Sequence, residues 1–293
     1  MTAVDSATDT SFGHFDNAEQ IAFWNGAGGQ RWVERQAALD AVLAPIEAPL
    51  LARANIQPGE HVVDIGCGCG ATTIAAASKV GPEGSVLGLD VSAPMLIRAN
   101  ELAADDAPVS LVQGDAMVHH FKAASRDLVI SRLGMMYFAD PVRAFLNIRT
   151  TLRSGGRVAF ACWRELRDNP WALEPLQAVY DHVARLPGLH PRAPDDFAFA
   201  SPEWVEQVLT DAGLRRVRLE RCDLALDLGA GEGLDSAVQS ALAFGPVSRA
   251  VAGQPAETVE AATVAVRKTL ARFAKGPAIT MPASLWIVTA VDP

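Results

Sequence analysis

The most constraining feature of this sequence is a glycine-rich stretch at residues 61–77, which reads HVVDIGCGCGATTIAAA. Gly66, Gly68 and Gly70 carry no Cβ atom, so the backbone can turn sharply there and lie against a ligand. A helix that begins near Ala71 directs its free N–H groups at whatever lies above the loop. The stretch therefore predicts a strand, a turn and a helix that hold a small molecule at the carboxyl end of a parallel sheet.

Two classes of cofactor fit these glycines. The motif Gly66-x-Gly68-x-x-Ala71 satisfies the loose dinucleotide fingerprint, and Asp90 follows at about the twenty-residue distance at which that fingerprint wants an acid for the ribose hydroxyls. Asp64 favours a different ligand, because a carboxylate just before the first glycine would repel a pyrophosphate over the loop. The same carboxylate suits a cationic ligand such as S-adenosylmethionine, with its ammonium and sulfonium groups. The loop alone leaves both a methyl donor and a dinucleotide open.

Composition excludes several other classes of protein. With 293 residues, 49% of them hydrophobic and 20% charged, the chain can bury a large globular core. The net charge of −9 disfavours non-specific binding to nucleic acid. We find no signal peptide at the N-terminus, no apolar run of membrane-spanning length and no Cys-x-x-Cys pair. We therefore expect a cytoplasmic protein, a monomer or homodimer, whose cysteines pack rather than bind metal.

Apolar runs that alternate with helical patterns predict an α/β fold with a doubly wound, mostly parallel sheet of seven strands. Helices are predicted from about residue 30, from 71, over 93–102 and 141–152, and from 202 until Gly213; later strands are predicted at 85–90, 109–113, 127–131, 157–163, 215–223 and 284–291. The stretches 164–200 and 229–275 are longer than simple crossovers require. We expect a single domain, 1–293, and a loosely attached tail up to about residue 16. Its predicted parts are an N-terminal helical cap at 1–58, a donor-binding core at 59–163, and substrate-lid insertions at 164–200 and 229–275.

Four motifs along the chain resemble those of class I S-adenosylmethionine-dependent methyltransferases. The spacing Asp-x-Gly-x-Gly-x-Gly at 64–70 is their nucleotide loop, and Gly-Asp-Ala at 114–116 follows the third strand, where that fold places an acid beside the adenine. Residues 152–156 resemble the turn Leu-basic-Pro-Gly-Gly, with a serine in place of the proline, and 212–214 resemble the turn into the sixth strand. The resemblance implies a Rossmann-like fold and S-adenosylmethionine as cofactor.

Within that family the chain is most similar to the ubiquinone/menaquinone-biosynthesis-type group, and to bacterial small-molecule enzymes in it. The likeness rests on Trp-Asn-Gly at 24–26, Ser-Arg-Leu-Gly-Met-Met at 131–136, Cys-Trp-Arg at 162–164 and Asn-Pro-Trp at 169–171. It implies methyl transfer to a small organic acceptor, on oxygen, nitrogen or carbon, in secondary metabolism or quinone-like biosynthesis. An NAD(P)-dependent oxidoreductase and a donor-binding protein without turnover are the alternatives.

The resemblance also implies which residues hold the donor. Asp64 and the loop 66–70 would hold its methionine end, and Asp90 would accept hydrogen bonds from both ribose hydroxyls. Residues after the second and third strands would contact the adenine, although Asp90 and Asp115 would also serve as plain loop caps. Trp24 and Trp32 belong either to the core or to a cap over the donor. The full candidate set is Asp64, Gly66, Cys67, Gly68, Gly70, Asp90, Val91, Met95, Asp115, Ala116, Ser131, Trp24 and Trp32.

The acceptor side is less clearly marked. A general base is needed only if the acceptor must first lose a proton. The candidates for catalysis are His119, His120, Arg132 and Tyr137, with His182 and His190 as residues that would project from a lid. The candidates for the substrate pocket are Met135, Trp163, Arg164, Asn169 and Trp171. An ordinary ion pair for Arg132 and an anchoring role for the tryptophans are the plain alternatives.

Overall fold

The computed structural model describes residues 17–185 and 193–293, so the predictions for the tail before residue 17 and for His190 lie outside the described residues. The helices are α1 Ala18–Asn25, α2 Ala27–Glu34, α3 Gln36–Ala54, α4 Ala71–Val80, α5 Ala93–Leu102, α6 Pro141–Arg149, α7 Pro170–Val179, α8 Pro202–Asp211, α9 Leu234–Ala243, α10 Gly245–Val251 and α11 Ala256–Leu270. The strands are β1 His61–Ile65, β2 Ser85–Asp90, β3 Val109–Gln113, β4 Arg126–Arg132, β5 Leu152–Trp163, β6 Arg215–Asp227, β7 Ala274–Lys275 and β8 Ala278–Val291.

Seven strands form one sheet in the order β3-β2-β1-β4-β5-β8-β6, and the two-residue β7 pairs with β8 beside it. Strands β1 to β5 are parallel, whereas β8 runs antiparallel to both β5 and β6. The predicted doubly wound, mostly parallel sheet is confirmed. Strand order reverses between β1 and β4, and open α/β sheets bind their ligands at such a switch point, beyond the carboxyl ends of the strands.

The centre of the sheet is buried on both faces, as its apolar strands predict. In β1, Val62 and Val63 are fully buried, and Val63 pairs with Leu87 of β2 and Val129 of β4. Helix α3 packs against β4, β5, β6 and β8. This arrangement fixes the ends of β1, β2 and β4 rigidly, so the loops that follow them start from defined positions. No helix in the described part of the chain is both long and apolar enough to cross a membrane.

The N-terminal region departs from the sequence prediction. We predicted one helix from about residue 30 with Trp32 on the same face as Leu39, but the structure breaks it at Arg35, and Trp32 belongs to α2 while Leu39 belongs to α3. Helix α2 packs tightly against the end of α1, where a Cβ on Gly29 would lie 2.0 Å from the carbonyl oxygen of Trp24. This close approach between α1 and α2 is a tertiary contact, and no local periodicity could reveal it.

Other boundaries differ by a few residues. Helix α6 ends at Arg149 instead of residue 152, and the predicted turn at 152–156 lies within β5. Strands β6 and β8 are both longer than predicted, because their ladder continues past Pro282 to the pair Asp227 and Thr280. A proline inside an apolar run suggests a strand end, but β8 has left β5 by this point and pairs with β6 alone.

Candidate active site

A cavity of about 360 Å³ lies at the switch point, and it is lined by residues from many separate parts of the chain. These parts are helices α1 to α3, the loop after β1, the loops after β2 and β3, the segment after β4, and the stretches around residues 194–196 and 243–249. The cavity therefore joins the ends of the central strands to the N-terminal helices and to both insertions.

The loop after β1 is shaped by a close approach to the segment after β4. Gly66 has a φ of +65°, and a Cβ on it would lie 2.8 Å from the Cα of Gly134. The hydroxyl of Ser131, which is fully buried, donates to the carbonyl oxygen of Ile65 (2.7 Å) and accepts from the Gly134 N–H (3.1 Å). The motif at 131–136 thus holds the glycine loop from behind, and Ser131 does not line the cavity.

Asp64 lies at the end of β1 and is almost fully buried. Its Oδ2 accepts a hydrogen bond from the Thr73 hydroxyl at 2.7 Å, while its Oδ1 has no hydrogen-bond partner within the described ranges. Burial raises the pKa of Asp64 to about 7, against the hydrogen bond from Thr73 and the charge of Arg132, which lower it. An unpaired carboxylate oxygen that lines a cavity is a ready acceptor for a cationic or hydrogen-bonding ligand.

Asp90, at the end of β2, connects two loops of the site. Its Oδ2 accepts from the Gly68 N–H (2.7 Å) and its Oδ1 accepts from the Ser92 N–H (2.8 Å). Burial raises the pKa of this carboxyl, and the backbone hydrogen bonds act in the opposite direction. The carboxylate is a loop cap, as one of the two interpretations predicts, and each of its oxygens keeps a further lone pair for a ligand in the cavity.

The remaining candidates for the adenine side surround the same part of the cavity. Val91, Met95, Asp115 and Ala116 all line it. Met95 is buried beneath the glycine loop, so a Cβ on Gly68 would lie 2.9 Å from its Cε. One carboxylate oxygen of Asp115 accepts from the Met117 N–H at 3.0 Å. The structure thus brings the acids at the ends of β1 and β2 and after β3 to a single cavity.

The N-terminal helices are attached directly to the loop after β2. The Asn25 side chain donates to the carbonyl oxygen of Val91 (2.8 Å) and accepts from the Ala93 N–H (3.0 Å). The Ser92 hydroxyl donates to the carbonyl oxygen of Trp24 at 2.6 Å. Asn25 belongs to the Trp-Asn-Gly motif, but we did not predict it as a site residue. Its amide is complementary to the backbone groups of the loop after β2, so the cap and this loop are positioned together.

Aromatic side chains also line the cavity. Trp24 meets Tyr137 edge to face at 5.4 Å between ring centroids and Trp32 at 6.0 Å, and Trp32 meets Phe244 at 6.4 Å. Trp163 also lines the cavity, whereas Trp171 stacks behind Phe244 at 4.9 Å. Phe244 was not predicted, because nothing local in its sequence distinguishes it from a core residue.

Charged groups are interspersed among these rings. Arg132 forms an ion pair with Asp40 (3.2 Å), which is the plain alternative that the sequence left open for it, and it also lines the cavity. Tyr137 donates its hydroxyl proton to Asp196 at 2.6 Å, and Arg249 pairs with the same carboxylate at 3.1 Å. Sequence reasoning missed Asp40, Asp196 and Arg249, which lie far apart along the chain and meet only in the fold.

Several predicted site residues do not line the cavity. His119 packs edge to face on Phe121 at 4.8 Å, and burial and the neighbouring His120 lower its pKa. Arg164 pairs with Asp168 and Asp223, and its guanidinium lies over a tryptophan ring. The predicted residues that the structure leaves outside the cavity lining are Gly70, His119, His120, Ser131, Met135, Arg164, Asn169, Trp171 and His182.

Asn169 is a buried connector. It is fully buried, and its amide donates to the carbonyl oxygens of Arg164, Glu165 and Ser284 at 3.1–3.2 Å. Its oxygen accepts from the indole N–H of Trp171 (3.0 Å) and from the Ser284 N–H (2.9 Å). The Asn-Pro-Trp motif therefore fastens the first insertion to β8.

We expect Asn169→Ala to lower the free energy of unfolding by about 3 kcal/mol, because several buried polar groups lose their partner at once. Chemical denaturation measures this loss. Gln177→Ala, at an exposed position on α7, serves as the control and should change stability by less than about 0.5 kcal/mol. Equal stability of the two variants would contradict the connecting role of Asn169.

Comparison with known proteins identifies the family. Residues 62–156, from β1 into β5, match the family model described as a methyltransferase domain. Nocamycin O-methyltransferase from Saccharothrix syringae is 31% identical over 210 residues, which cover 65% of this chain and 71% of that protein. The chain belongs to the S-adenosylmethionine-dependent methyltransferase family. Membership decides between the two cofactor classes that the glycines left open, and the cofactor of this methyltransferase is S-adenosylmethionine.

Two further comparisons agree with this. The demethylmenaquinone methyltransferase of Staphylococcus aureus is 37% identical over 104 residues, so the methyltransferase aligns with only 43% of that relative's length. A solved structure of phosphoethanolamine N-methyltransferase 2 of Haemonchus contortus, in complex with phosphomonomethylethanolamine and S-adenosylhomocysteine, is 20% identical with a TM-score of 0.53. The comparison covers 85% of this chain and 52% of that one. At this identity the likeness shows a shared fold.

Proposed function

We propose that this methyltransferase moves a methyl group from S-adenosylmethionine to a small organic acceptor held in the same cavity. The observation that carries the proposal is that acidic residues at the strand ends and aromatic side chains from the cap, β5 and the second insertion line one cavity. We assign the donor to the part lined by the acids, the donor end, and the acceptor to the part lined by the aromatic side chains, the acceptor end. The donor supplies a methyl group that is already activated by the sulfonium, so the protein's main task is to position the acceptor in line with it.

The residues at the donor end suit S-adenosylmethionine. The unpaired Oδ1 of Asp64 would accept the donor's ammonium, and the glycine loop would lie along its methionine part. Asp90 would accept hydrogen bonds from the ribose hydroxyls through the lone pairs that its backbone partners leave free. Val91, Met95 and Asp115 would surround the adenine. The members of the predicted cofactor set that line the cavity therefore support this assignment of the donor.

We expect Asp90→Ala to weaken the binding of S-adenosylhomocysteine at least about tenfold, since charge-assisted hydrogen bonds to the ribose are lost. Titration calorimetry measures the affinity. If the substitution merely loosened the loop, it would weaken the binding of every ligand equally. The 2′-deoxy analogue of S-adenosylhomocysteine is therefore the control. It should bind the wild-type protein less tightly than S-adenosylhomocysteine does, and the two ligands should bind the variant alike. Unchanged affinity in the variant would overturn the ribose assignment.

The residues at the acceptor end favour a small, flat and partly apolar acceptor. Trp24, Trp32, Trp163 and Phe244 provide apolar surface there, with charged groups interspersed among them. The cavity volume of about 360 Å³ is in the range of small-molecule sites, which favours small molecules over polymers. We propose that the cap at 1–58 and the insertions at 164–200 and 229–275 act as covers of one domain around the core at 59–163.

A transfer assay tests the proposal. The protein is incubated with methyl-labelled S-adenosylmethionine and a panel of phenols, enols, carboxylic acids, amines and keto acids. We expect labelled product from at least one class of acceptor together with one equivalent of S-adenosylhomocysteine. Tight binding of the donor without transfer to any member would instead favour a donor-binding protein without turnover.

A further inference from the structure

Three polar side chains in the cavity lining, at the acceptor end, are joined by a hydrogen bond and an ion pair. The Tyr137 hydroxyl donates to Asp196 Oδ1 at 2.6 Å, and the Asp196 Oδ2 lies 3.1 Å from an Nη of Arg249. All three residues line the cavity. They come from the segment after β4, from the first insertion and from α10, so only the folded chain brings them together.

The hydrogen bonds fix the direction in which Tyr137 can act. Its single proton points to Asp196, so the lone pairs of its oxygen remain as acceptors for another group. In the part of the chain that the structure describes, no other side chain shares a hydrogen bond with this oxygen. Arg249 holds the second oxygen of Asp196 and thereby orients the carboxylate. A substrate hydroxyl that entered the cavity beside Tyr137 could donate its proton to the Tyr137 oxygen, while Tyr137 donates its own proton to Asp196.

We propose that Tyr137 and Asp196 form a proton relay for an acceptor that carries a neutral hydroxyl, a phenol or an enol. The proton of the acceptor's O–H passes to the Tyr137 oxygen while the Tyr137 proton passes to Asp196. The acceptor oxygen uses the freed electron pair to form the C–O bond with the methyl carbon, and the C–S bond breaks with its pair left on sulfur. Asp196 later returns the proton to water. This inference rests on the proposed methyl transfer and names its substrate class.

The surroundings favour a relay over a standing tyrosinate. Burial and the charge and hydrogen bond of Asp196 raise the pKa of Tyr137 well above its usual value, while the charge of Arg249 acts in the opposite direction and that of Asp195 adds to the rise. Tyr137 is therefore protonated at neutral pH. It can accept a proton only as it gives one away, and Asp196 is positioned to receive it.

Other candidates for the base are less well placed. His119 and His120 do not line the cavity, and Arg132 is occupied by Asp40. A carboxylic acid acceptor is ionised at neutral pH and needs no base. The relay therefore predicts that removal of the Tyr137 hydroxyl affects hydroxyl acceptors and spares carboxylate acceptors.

The first experiment compares Tyr137→Phe and Asp196→Asn with the wild-type protein on phenol and carboxylic acid panels. For a phenol substrate we expect kcat to fall at least about 100-fold in both variants with KM within about threefold. Calorimetry with S-adenosylhomocysteine should give unchanged donor affinity. Any of three results would overturn the relay. The Tyr137→Phe variant could have the wild-type kcat for a phenol, the wild-type protein could methylate carboxylic acids alone, or it could methylate neither panel. Methyl transfer to another class of acceptor would leave the proposed function standing.

A second experiment needs no acceptor. The chain has two tyrosines, Tyr137 and Tyr180, so in Tyr180→Phe the tyrosinate absorbance reports on Tyr137 alone. Adding Asp196→Asn to this variant should make tyrosinate appear at lower pH, because a negative charge and a hydrogen-bond acceptor are lost. Asp195→Asn is the matched control. Asp195 acts on Tyr137 through its charge and Asp196 through both a charge and a hydrogen bond, so the control should lower the pKa of Tyr137 less. An equal titration with and without Asp196 would overturn the coupling on which the relay depends.

Discussion

Replacing Gly66 with alanine should lower the affinity for S-adenosylhomocysteine by roughly 100-fold or more. Two effects combine at this position. The φ of +65° is a conformation that costs an L-residue about 1 kcal/mol or more. In addition, the new Cβ would lie 2.8 Å from the Cα of Gly134, a backbone atom that cannot move aside by rotating a side chain. The loop must shift toward the cavity, into the space that we assign to the donor's methionine part.

Gly81→Ala is the matched control, because Gly81 has a φ of +67° but no atom within 4 Å of the position that a Cβ would take. With a ψ of −172°, Gly81 lies in a region that essentially only glycine adopts, so the substitution should cost about 1–3 kcal/mol of stability and leave donor affinity unchanged. Gly134→Ala should reproduce the loss seen with Gly66→Ala, since its Cβ would meet the Ile65 carbonyl oxygen at 2.6 Å and the Gly66 Cα at 2.9 Å. Similar affinities in Gly66→Ala and Gly81→Ala would show that this loop does not cradle the donor.

Asp64→Asn should have the second large effect, and it should act in opposite directions on binding and on stability. At pH 8 we expect the affinity for S-adenosylhomocysteine to fall roughly 10- to 100-fold, because a charge-assisted bond to the ammonium is lost. The free protein should become more stable at the same pH, since the substitution removes a buried charge whose Oδ1 has no partner among the described residues. Calorimetry and chemical denaturation of the same preparation measure both quantities.

The sign of the pH dependence follows from the pKa of Asp64, which is about 7 in the folded protein and near 4 when unfolded. The folded state binds the extra proton between these values, so this residue makes the free protein less stable as pH rises from about 4 to 7, by up to about 4 kcal/mol. Donor binding favours the carboxylate, and the affinity should therefore rise with pH through 7 with release of a proton. In Asp64→Asn both dependences should disappear. An affinity that falls with pH, or that rises equally in the variant, would contradict the assignment.

Much of the donor end could be predicted because its signals are local. The bounds of β2, β3 and α5 agree with the prediction, and Ser92 caps α5 by accepting from the Met95 N–H as a serine there should. Residues that immediately follow parallel strands must meet at one edge of the sheet. For that reason Asp64, Asp90 and Asp115 could be placed around one ligand without knowledge of the tertiary structure.

The acceptor end could not be predicted, because it is built by packing between distant segments. Phe244, Asp196 and Arg249 carry no local pattern that separates them from core or surface residues. Conversely, the histidines that follow Asp115 in sequence looked suitable for the cleft, but the turn after β3 directs His119 against Phe121. Sequence shows which residues follow a strand, and only the fold shows in which direction they point.

Some motif residues have a structural role in place of the predicted chemical one. Ser131 supports the glycine loop from behind, and Asn169 fastens the first insertion to β8. Both were predicted as site residues because they occur in motifs. A motif thus combines residues that line the cavity with residues that hold those in place, and both kinds are buried here, as Asp64 and Ser131 show.

A crystal structure with S-adenosylhomocysteine tests the central assignment most directly. We expect the ligand's ammonium within about 3.2 Å of Asp64 Oδ1, its ribose hydroxyls at the same distance from Asp90, and its sulfur directed toward Tyr137 and the aromatic end of the cavity. A ligand bound elsewhere, or in the cavity with its adenine at the aromatic end and its sulfur away from Tyr137, would contradict the account.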